Sequence, residues 1–437
     1  MPDYLIIGSG VAGVTAAETI REHDPAGRIT LVTHEPTPFY NRIRLGEYIA
    51  GEVSRQKLAG VEPGWYERHR VNLRLSTPID LLQPHARTAQ TRQGETLPWD
   101  RLLMATGSSP FIPFISGREK EGVQVLRTLT DADTISRRME KITHAVILGG
   151  GLLGLEAAHV LNRHGKKVTV VESAPRILPR QLNGAGAARL QRSMEKKGIG
   201  FRTETKAAEV IGDHAAQGVL THTGEKIRGQ LVLISAGVRP MVNLMAPFGL
   251  ETSHGIPVAP TMETAIDGLF AAGDCTLYNG GNQGIWPTAM EQGRIAGLNM
   301  VGIPATYREP TFATRLKVGD IPLASAGSVD PEGTHEAMVF SSATHYTRMV
   351  LHHNVPVGCQ MVGETAHFET VFELIQKREP LNEQTRGELE TLLGVPLTGA
   401  KFQTLFTCTV CGYTHKGEKP PEVCPQCGVP SNRFKAA

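Results

Sequence analysis

The stretch at 4–35, YLIIGSGVAGVTAAETIREHDPAGRITLVTHE, constrains this chain more than any other. An apolar run at 4–7 reads as a buried parallel strand, and Gly8, Gly10 and Gly13 supply a G-x-G-x-x-G turn where that strand would become a helix. Gly8 allows the tight turn, Gly10 lets a pyrophosphate approach the backbone, and Gly13 lets the helix sit close on the sheet, with its N-terminal amides toward the phosphates. Residues 28–32 read as the next strand, and Glu35, just past its end, is placed to accept hydrogen bonds from a ribose diol. Strand, glycine turn, helix, strand and acid in that order predict a dinucleotide cradle.

The pattern recurs at 144–172, HAVILGGGLLGLEAAHVLNRHGKKVTVVE. Gly149, Gly151 and Gly154 form the second turn, Gly165 stops the helix, residues 167–171 form the second strand, and Glu172 is its terminal acid. Two such units imply two dinucleotides. The acid favours an unmodified ribose 2'-hydroxyl, hence NAD over NADP, although Arg176 or Arg180 nearby leaves room for a 2'-phosphate.

A net charge of +2, with 20% charged and 40% hydrophobic residues, gives no argument for nucleic acid or an anionic membrane. The densest basic run, RHGKK at 163–167, reads as a solvated helix end. A first strand starting at Tyr4 leaves no room for a signal peptide, and no stretch approaches a membrane span, so the expectation is a cytoplasmic protein.

Further along, WDRLLMATGSSP at 99–110 reads as a strand ending in Ala105-Thr106-Gly107, which brings the chain back beside the first sheet. The stretch 268–302 gives a short strand, Gly273-Asp274, a glycine-rich loop and a helix from about Pro287. Asp274 at the strand end suits a polyol hydroxyl. Residues 311–394 read as a separate α/β unit, with strands near 336–340, 347–352 and 357–362 and a helix at 383–393 before Gly394. Residues 395–403 then form a linker that spans about 30 Å when extended.

Of the six cysteines, Cys275 and Cys359 stand alone and read as small buried fillers. The other four form two C-x-x-C-G knuckles, Cys408/Cys411 and Cys424/Cys427, with twelve residues between them. Four thiolates on two tight turns can close a tetrahedron around one metal, and that chemistry alone admits iron or zinc.

In order, GSGVAG, ATG, GGGLLGLEAA and GLFAAGDC resemble the motifs of the pyridine nucleotide-disulfide oxidoreductase family of FAD flavoproteins, over about residues 1–395. The resemblance implies that the first cradle binds the ADP half of FAD and the second the nicotinamide dinucleotide. It places Asp274 at the ribityl chain, Thr106 and Gly107 along the FAD, and Arg42 near it. It also puts Glu156 near the nicotinamide and Glu47 where rubredoxin and ferredoxin reductases often carry lysine, and these two acids are the candidate catalytic residues. YNRIRLGEYIAG, ILPRQLN and RLKVGDIPLASAG look most like the flavoprotein part of assimilatory nitrite and nitrate reductases, with rubredoxin reductases close by. The tail is similar to the rubredoxin-like domain of rubrerythrins in CGYxHxG, the proline before the second knuckle and Phe434, which implies iron.

The expected fold is therefore α/β. It has an FAD-binding domain at 1–112 and 239–310, an NAD-binding domain at 113–238, a C-terminal interface domain at 311–394, the linker, and a rubredoxin-like domain at 404–437. With no cysteine at 39–48, thiol chemistry at the flavin is not expected. A nicotinamide gives two electrons as hydride and one Fe(Cys)4 centre accepts one, so a flavin between them must split the pair. The implied activity is NADH oxidation through FAD to the chain's own iron and on to a partner protein, with a homodimer possible through the third domain. The alternatives are an electron-transfer subunit of nitrate or nitrite reductase, a flavoprotein whose tail binds zinc and serves as an interaction module, and an oxygen-reducing NADH oxidase.

Overall fold

The computed structural model describes residues 1–250, 252–281, 284–329, 335–342, 345–393, 404–410, 413–417 and 420–436. The chain forms two compact units, one of Met1–Pro113, Gln124–Glu140 and Ala236–Glu309, the other of Phe114–Val123, Lys141–Ser235 and Pro310–Ala437.

The first unit is built on a parallel sheet in the order Leu269–Ala271, Arg101–Met104, Asp3–Ile7, Arg28–Val32, Val71–Arg74. Asp3–Ile7 lies at its centre, in register with both neighbours through Ile7↔Val32 and Ile7↔Met104. Its residues do not alternate in polarity because both faces are covered. Tyr4 and Ile6 pack under the helix Val11–His23, and Leu5 and Ile7 pack with Leu82, Ala89 and Trp99 from the other side. The helices Val11–His23 and Trp286–Met300 pack closely because their contact residues are small. A Cβ on Gly293 would stand 2.3 Å from the Ala12 carbonyl oxygen, and one on Gly297 would stand 3.0 Å from that of Ala16.

Residues 124–140 lie with this unit. The helix Leu129–Met139 opens with a reciprocal capping box between Thr128 and Asp131. It is fastened to the short helix Leu45–Ile49, where the Tyr48 hydroxyl donates to Asp133 Oδ1 at 2.7 Å.

The second unit repeats the parallel arrangement with His144–Leu148 between Lys167–Val171 and Leu231–Ile234, and Ile199–Arg202 outside Lys167–Val171. Its C-terminal part is a five-stranded antiparallel sheet in the order Ala313–Val318, Ile321–Gly327, Val355–Val362, Tyr346–His352, Glu336–Ser341. Phe368, Val371, Ile375 and Leu389, from helices Phe368–Lys377 and Glu383–Leu392, cover its Ala324, Met349, Cys359 and Met361. The sequence reading names the last three strands; the two it leaves out form a hairpin turned at Gly319-Asp320, both at positive φ (58° and 65°). That turn fits the right-handed twist of the flanking strands. In the tail, Thr404–Cys408 pairs antiparallel with Thr414–Gly417 and Phe434–Ala436.

Candidate dinucleotide and metal sites

The ends of the first parallel sheet open into a cavity of about 810 Å³, the size of a cofactor pocket. Gly8, Gly10, Glu35, Arg42, Thr106, Gly107 and Asp274 all line it, so residues far apart in the chain meet at one site. The glycines divide the work as their positions imply. Gly8 has φ 115°, and a Cβ there would stand 2.1 Å from the Ala105 carbonyl oxygen; one on Gly13 would stand 2.0 Å from that of Gly8. A Cβ on Gly10 meets nothing within 4 Å, so only this position faces open space. Gly10 also caps the helix Val11–His23 and, having no side chain, gives its first amides no side-chain cap. Those amides suit an anion.

Glu35 is held in place by two side chains. Its Oε2 accepts from the Tyr40 hydroxyl at 2.6 Å and its Oε1 from Arg42 Nη2 at 3.0 Å. The Tyr40 oxygen in turn accepts from the Leu129 amide at 3.0 Å, and burial pushes its phenol well above the ordinary range, so it remains a donor. Asp274 Oδ2 accepts from Ser108 Oγ at 2.8 Å and from Arg127 Nη2 at 3.0 Å. Arg127 lines the same cavity, and its Nε is buried with no hydrogen-bond partner among the described residues. The Thr106 hydroxyl donates to the Met241 carbonyl at 2.7 Å, which fixes the turn before Gly107. The open face at Gly10, the uncapped amides and the unsatisfied Arg127 nitrogen fit an anionic dinucleotide.

Sequence reasoning missed Tyr40, Ser108 and Arg127. The capping box at Thr128 marks a helix start that could have been read, but which way Arg127 turns could not. Glu47 lies apart from the cavity lining, half-exposed and paired with Arg44 Nη2 at 2.7 Å.

The second glycine turn has the same geometry. Gly149 has φ 123°, a Cβ on Gly154 would stand 2.1 Å from the Gly149 carbonyl oxygen, and one on Gly151 meets nothing within 4 Å. Glu172 bends back on the turn: Oε2 accepts from the Gly150 amide at 2.6 Å and Oε1 from the Ala174 amide at 2.7 Å. Arg176 Nε donates to the Leu182 carbonyl at 3.0 Å, while Arg180 is exposed. Glu156 is half-buried on the helix Leu152–Arg163 that follows the turn.

In the tail, the sulfurs of Cys408, Cys424 and Cys427 lie within 4.8 Å of one another, with Cys408 and Cys427 3.7 Å apart. A tetrahedral metal with sulfurs at about 2.3 Å sets adjacent sulfurs about 3.8 Å apart, so the spacing fits a four-thiolate centre. Gly428, at φ 73°, closes the second knuckle by donating its amide to the Cys424 carbonyl at 2.8 Å. Cys408 and Cys424 are buried and Cys427 is exposed; Cys411, the fourth expected ligand, lies outside the described residues. The two remaining cysteines are buried as expected, and burial pushes the Cys359 thiol up to about 12, which makes it inert.

Residues 2–293 match the pyridine nucleotide-disulphide oxidoreductase family, 313–379 match the rubredoxin NAD+ reductase C-terminal domain, and 406–435 match the rubrerythrin rubredoxin-like domain. The chain is 32% identical to a nitrite reductase (NAD(P)H) of Bacillus subtilis (strain 168), over 94% of this chain and 52% of the relative. It is also 32% identical to a rubredoxin-NAD(+) reductase of Pseudomonas putida, over 62% of this chain and 71% of the relative. The chain thus spans about half the length of the nitrite-reductase relative. Its structure is similar to the NADH:rubredoxin oxidoreductase of Clostridium acetobutylicum, with a TM-score of 0.77 at 25% identity, covering 90% of this chain and 99% of that one. Among the described residues no helix is long and apolar enough to cross a membrane.

Proposed function

This chain belongs to the pyridine nucleotide-disulphide oxidoreductase family, and from that premise we propose that it oxidises NADH through FAD and passes the electrons to its own four-cysteine iron and then to a partner protein. The observation that carries this reading is the union in one chain of two dinucleotide turns and a convergent thiolate cluster.

In this reading the first cradle holds FAD. Gly8, Gly10 and Gly13 admit the pyrophosphate, Glu35 takes the adenosine ribose, and Asp274 with Ser108 and Arg127 serves the ribityl side. Arg42, Thr106 and Gly107 complete the wall. A bound flavin supplies the conversion of a two-electron hydride donor into single electrons. The protein's part is to bind, orient and exclude water, because hydride transfer depends on alignment more than on acid or base.

The second cradle, with Gly149, Gly151 and Gly154, takes the nicotinamide dinucleotide through Glu172. The acid Glu172 at the strand end favours NADH over NADPH, and Arg176 is engaged with the Leu182 carbonyl. Glu156 is assigned to the nicotinamide end, and Glu47, paired with Arg44, to the rim of the flavin domain as a surface acid. Cys408, Cys411, Cys424 and Cys427 hold iron, and the exposed Cys427 is the outlet toward a small redox protein of the rubredoxin or ferredoxin type. Cytoplasmic location and a homodimer through the C-terminal sheet belong to the same proposal.

One observation favours a second reading. The match to a nitrite reductase extends over 94% of this chain, which suits an electron-transfer component of nitrite or nitrate reduction.

The test is NADH-dependent reduction of a rubredoxin, compared with reduction of ferricyanide, by the full chain and by a Cys424→Ser, Cys427→Ser variant. The proposal predicts at least a tenfold loss with rubredoxin while ferricyanide reduction persists. Equal rates for the two proteins with rubredoxin would remove the tail from the path.

A further inference from the structure

The dinucleotide reading accounts for the large cavity but leaves unexplained a smaller one that shares Gly273 and Asp274 with it. This chamber has a volume of about 10 Å³, the room one water requires. Its mixed lining includes the polar side chains of Asp274, Thr276, Thr288, Gln292, Tyr307 and Glu309. Two of these satisfy one another: the Thr276 hydroxyl donates at 2.9 Å to the Gly273 carbonyl and lies 3.2 Å from Gln292 Oε1, which also accepts from the Gly273 amide at 2.8 Å.

Thr288 and Tyr307 differ. Thr288 is 5% exposed and Tyr307 2% exposed; their hydroxyls interact with each other, but neither makes a hydrogen bond of ordinary geometry among the described residues. A buried hydroxyl without such a bond is costly, and in this fold two of them line one small chamber. Burial also pushes the Tyr307 phenol up, so at neutral pH it carries its proton and can donate. Both residues are rigidly placed. Thr288 is in the first turn of the helix Trp286–Met300, and the Tyr307 amide donates to the Pro260 carbonyl at 2.7 Å. Neither can turn to bulk solvent without unpacking the site.

We propose that this chamber binds one ordered water, held by the hydroxyls of Thr288 and Tyr307, as the fixed solvent floor of the cavity beside Asp274. The water ties the start of the helix that carries Trp286 into the large cavity to the irregular segment that carries Tyr307. It is therefore part of what keeps that wall in place.

The inference stands apart from the function proposed above, and its test does not use activity. The full chain with its bound flavin is compared with Thr288→Val and Tyr307→Phe in thermal unfolding, and the unmodified protein is crystallised at a resolution that shows water. A resident water predicts density within hydrogen-bond distance of both hydroxyls. It also predicts that each variant lowers Tm by a few degrees and that the double variant falls by clearly less than the sum of the two, because one water serves both groups. A dry chamber predicts the opposite sign: removing an unsatisfied buried hydroxyl raises Tm or leaves it unchanged. A chamber without density overturns the proposal whatever the variants do, and if neither variant folds, the density alone decides.

Discussion

At the residue scale, neighbouring glycines of one motif have opposite tolerances. Gly8 cannot accept a side chain, because its φ is positive and a Cβ would strike the Ala105 carbonyl, whereas a Cβ at Gly10 enters space that only a ligand would need. Gly8→Ala is therefore expected to destabilise the protein by about 2 kcal/mol or more. Gly10→Ala should leave the Tm of the flavin-depleted protein within a degree or two and weaken FAD binding at least tenfold. Thermal unfolding with and without flavin, together with a fluorescence titration of FAD, separates the two. An equal loss of Tm from both substitutions would contradict the assignment of Gly10 to the pyrophosphate.

The same scale shows what a sequence can disclose about a site. The glycines, Glu35 and Glu172 were legible because each has its role within about thirty residues of chain, at fixed spacing from a strand end. Ser108 and Arg127 were not, because their partner Asp274 lies 166 and 147 positions away and no local pattern records the contact. Tyr40 was hidden for a related reason, since its hydroxyl joins Glu35 to an amide 89 positions away.

At the scale of elements, two junctions are open to test. The first is the crossing of Val11–His23 with Trp286–Met300, where a Cβ on Gly293 would overlap the Ala12 backbone. Backbone cannot yield as a flexible side-chain end can, so Gly293→Ala should cost about 1–3 kcal/mol. Denaturant unfolding measures this, and an unchanged midpoint would contradict the close packing of the helices.

The second is the hairpin turn of the C-terminal sheet, where Asp320 Oδ2 meets Lys197 Nζ at 3.2 Å and His159 Nε2 at 3.6 Å. The hydrogen bond from Lys197 holds the Asp320 carboxyl below its ordinary value. A carboxyl lowered in the folded state stabilises above its unfolded pKa, and that contribution is lost as pH falls through the lowered value. Stability should decline below about pH 4, and Lys197→Met should flatten that decline. Because Asp320 is largely exposed, the effect should be small and screened by salt. An acid limb of unchanged slope in Lys197→Met would show that the contact does not couple the turn to folding.

This hairpin also marks a limit of reading elements from sequence. The helix Glu383–Leu392 and the strand Val355–Val362 announce themselves by a capping Asn382 and an apolar run. In Ala313–Val318 the alternation of Arg315, Leu316, Lys317 and Val318 is too short to stand out alone, and pairing with Ile321–Gly327 completes the strand. A partner strand supplied what propensity lacked.

At the scale of the whole molecule, the proposed relay joins a two-electron donor site to a one-electron centre, and it requires that the two communicate. Removing the metal should leave hydride uptake intact and stop onward transfer. After dialysis against a chelator under reducing conditions, NADH should still bleach the flavin, while rubredoxin reduction should fall at least tenfold and return when ferrous iron is restored. Recovery with zinc as complete as with iron would make the tail a docking module.

The most direct test of the relay is an anaerobic titration of the purified protein with NADH, followed in the visible, with iron and zinc determined on the same sample. The relay requires about one iron per chain, with its ferric absorption bleaching along with that of the flavin. Zinc in the site, or iron that stays oxidised while the flavin is reduced, would contradict it.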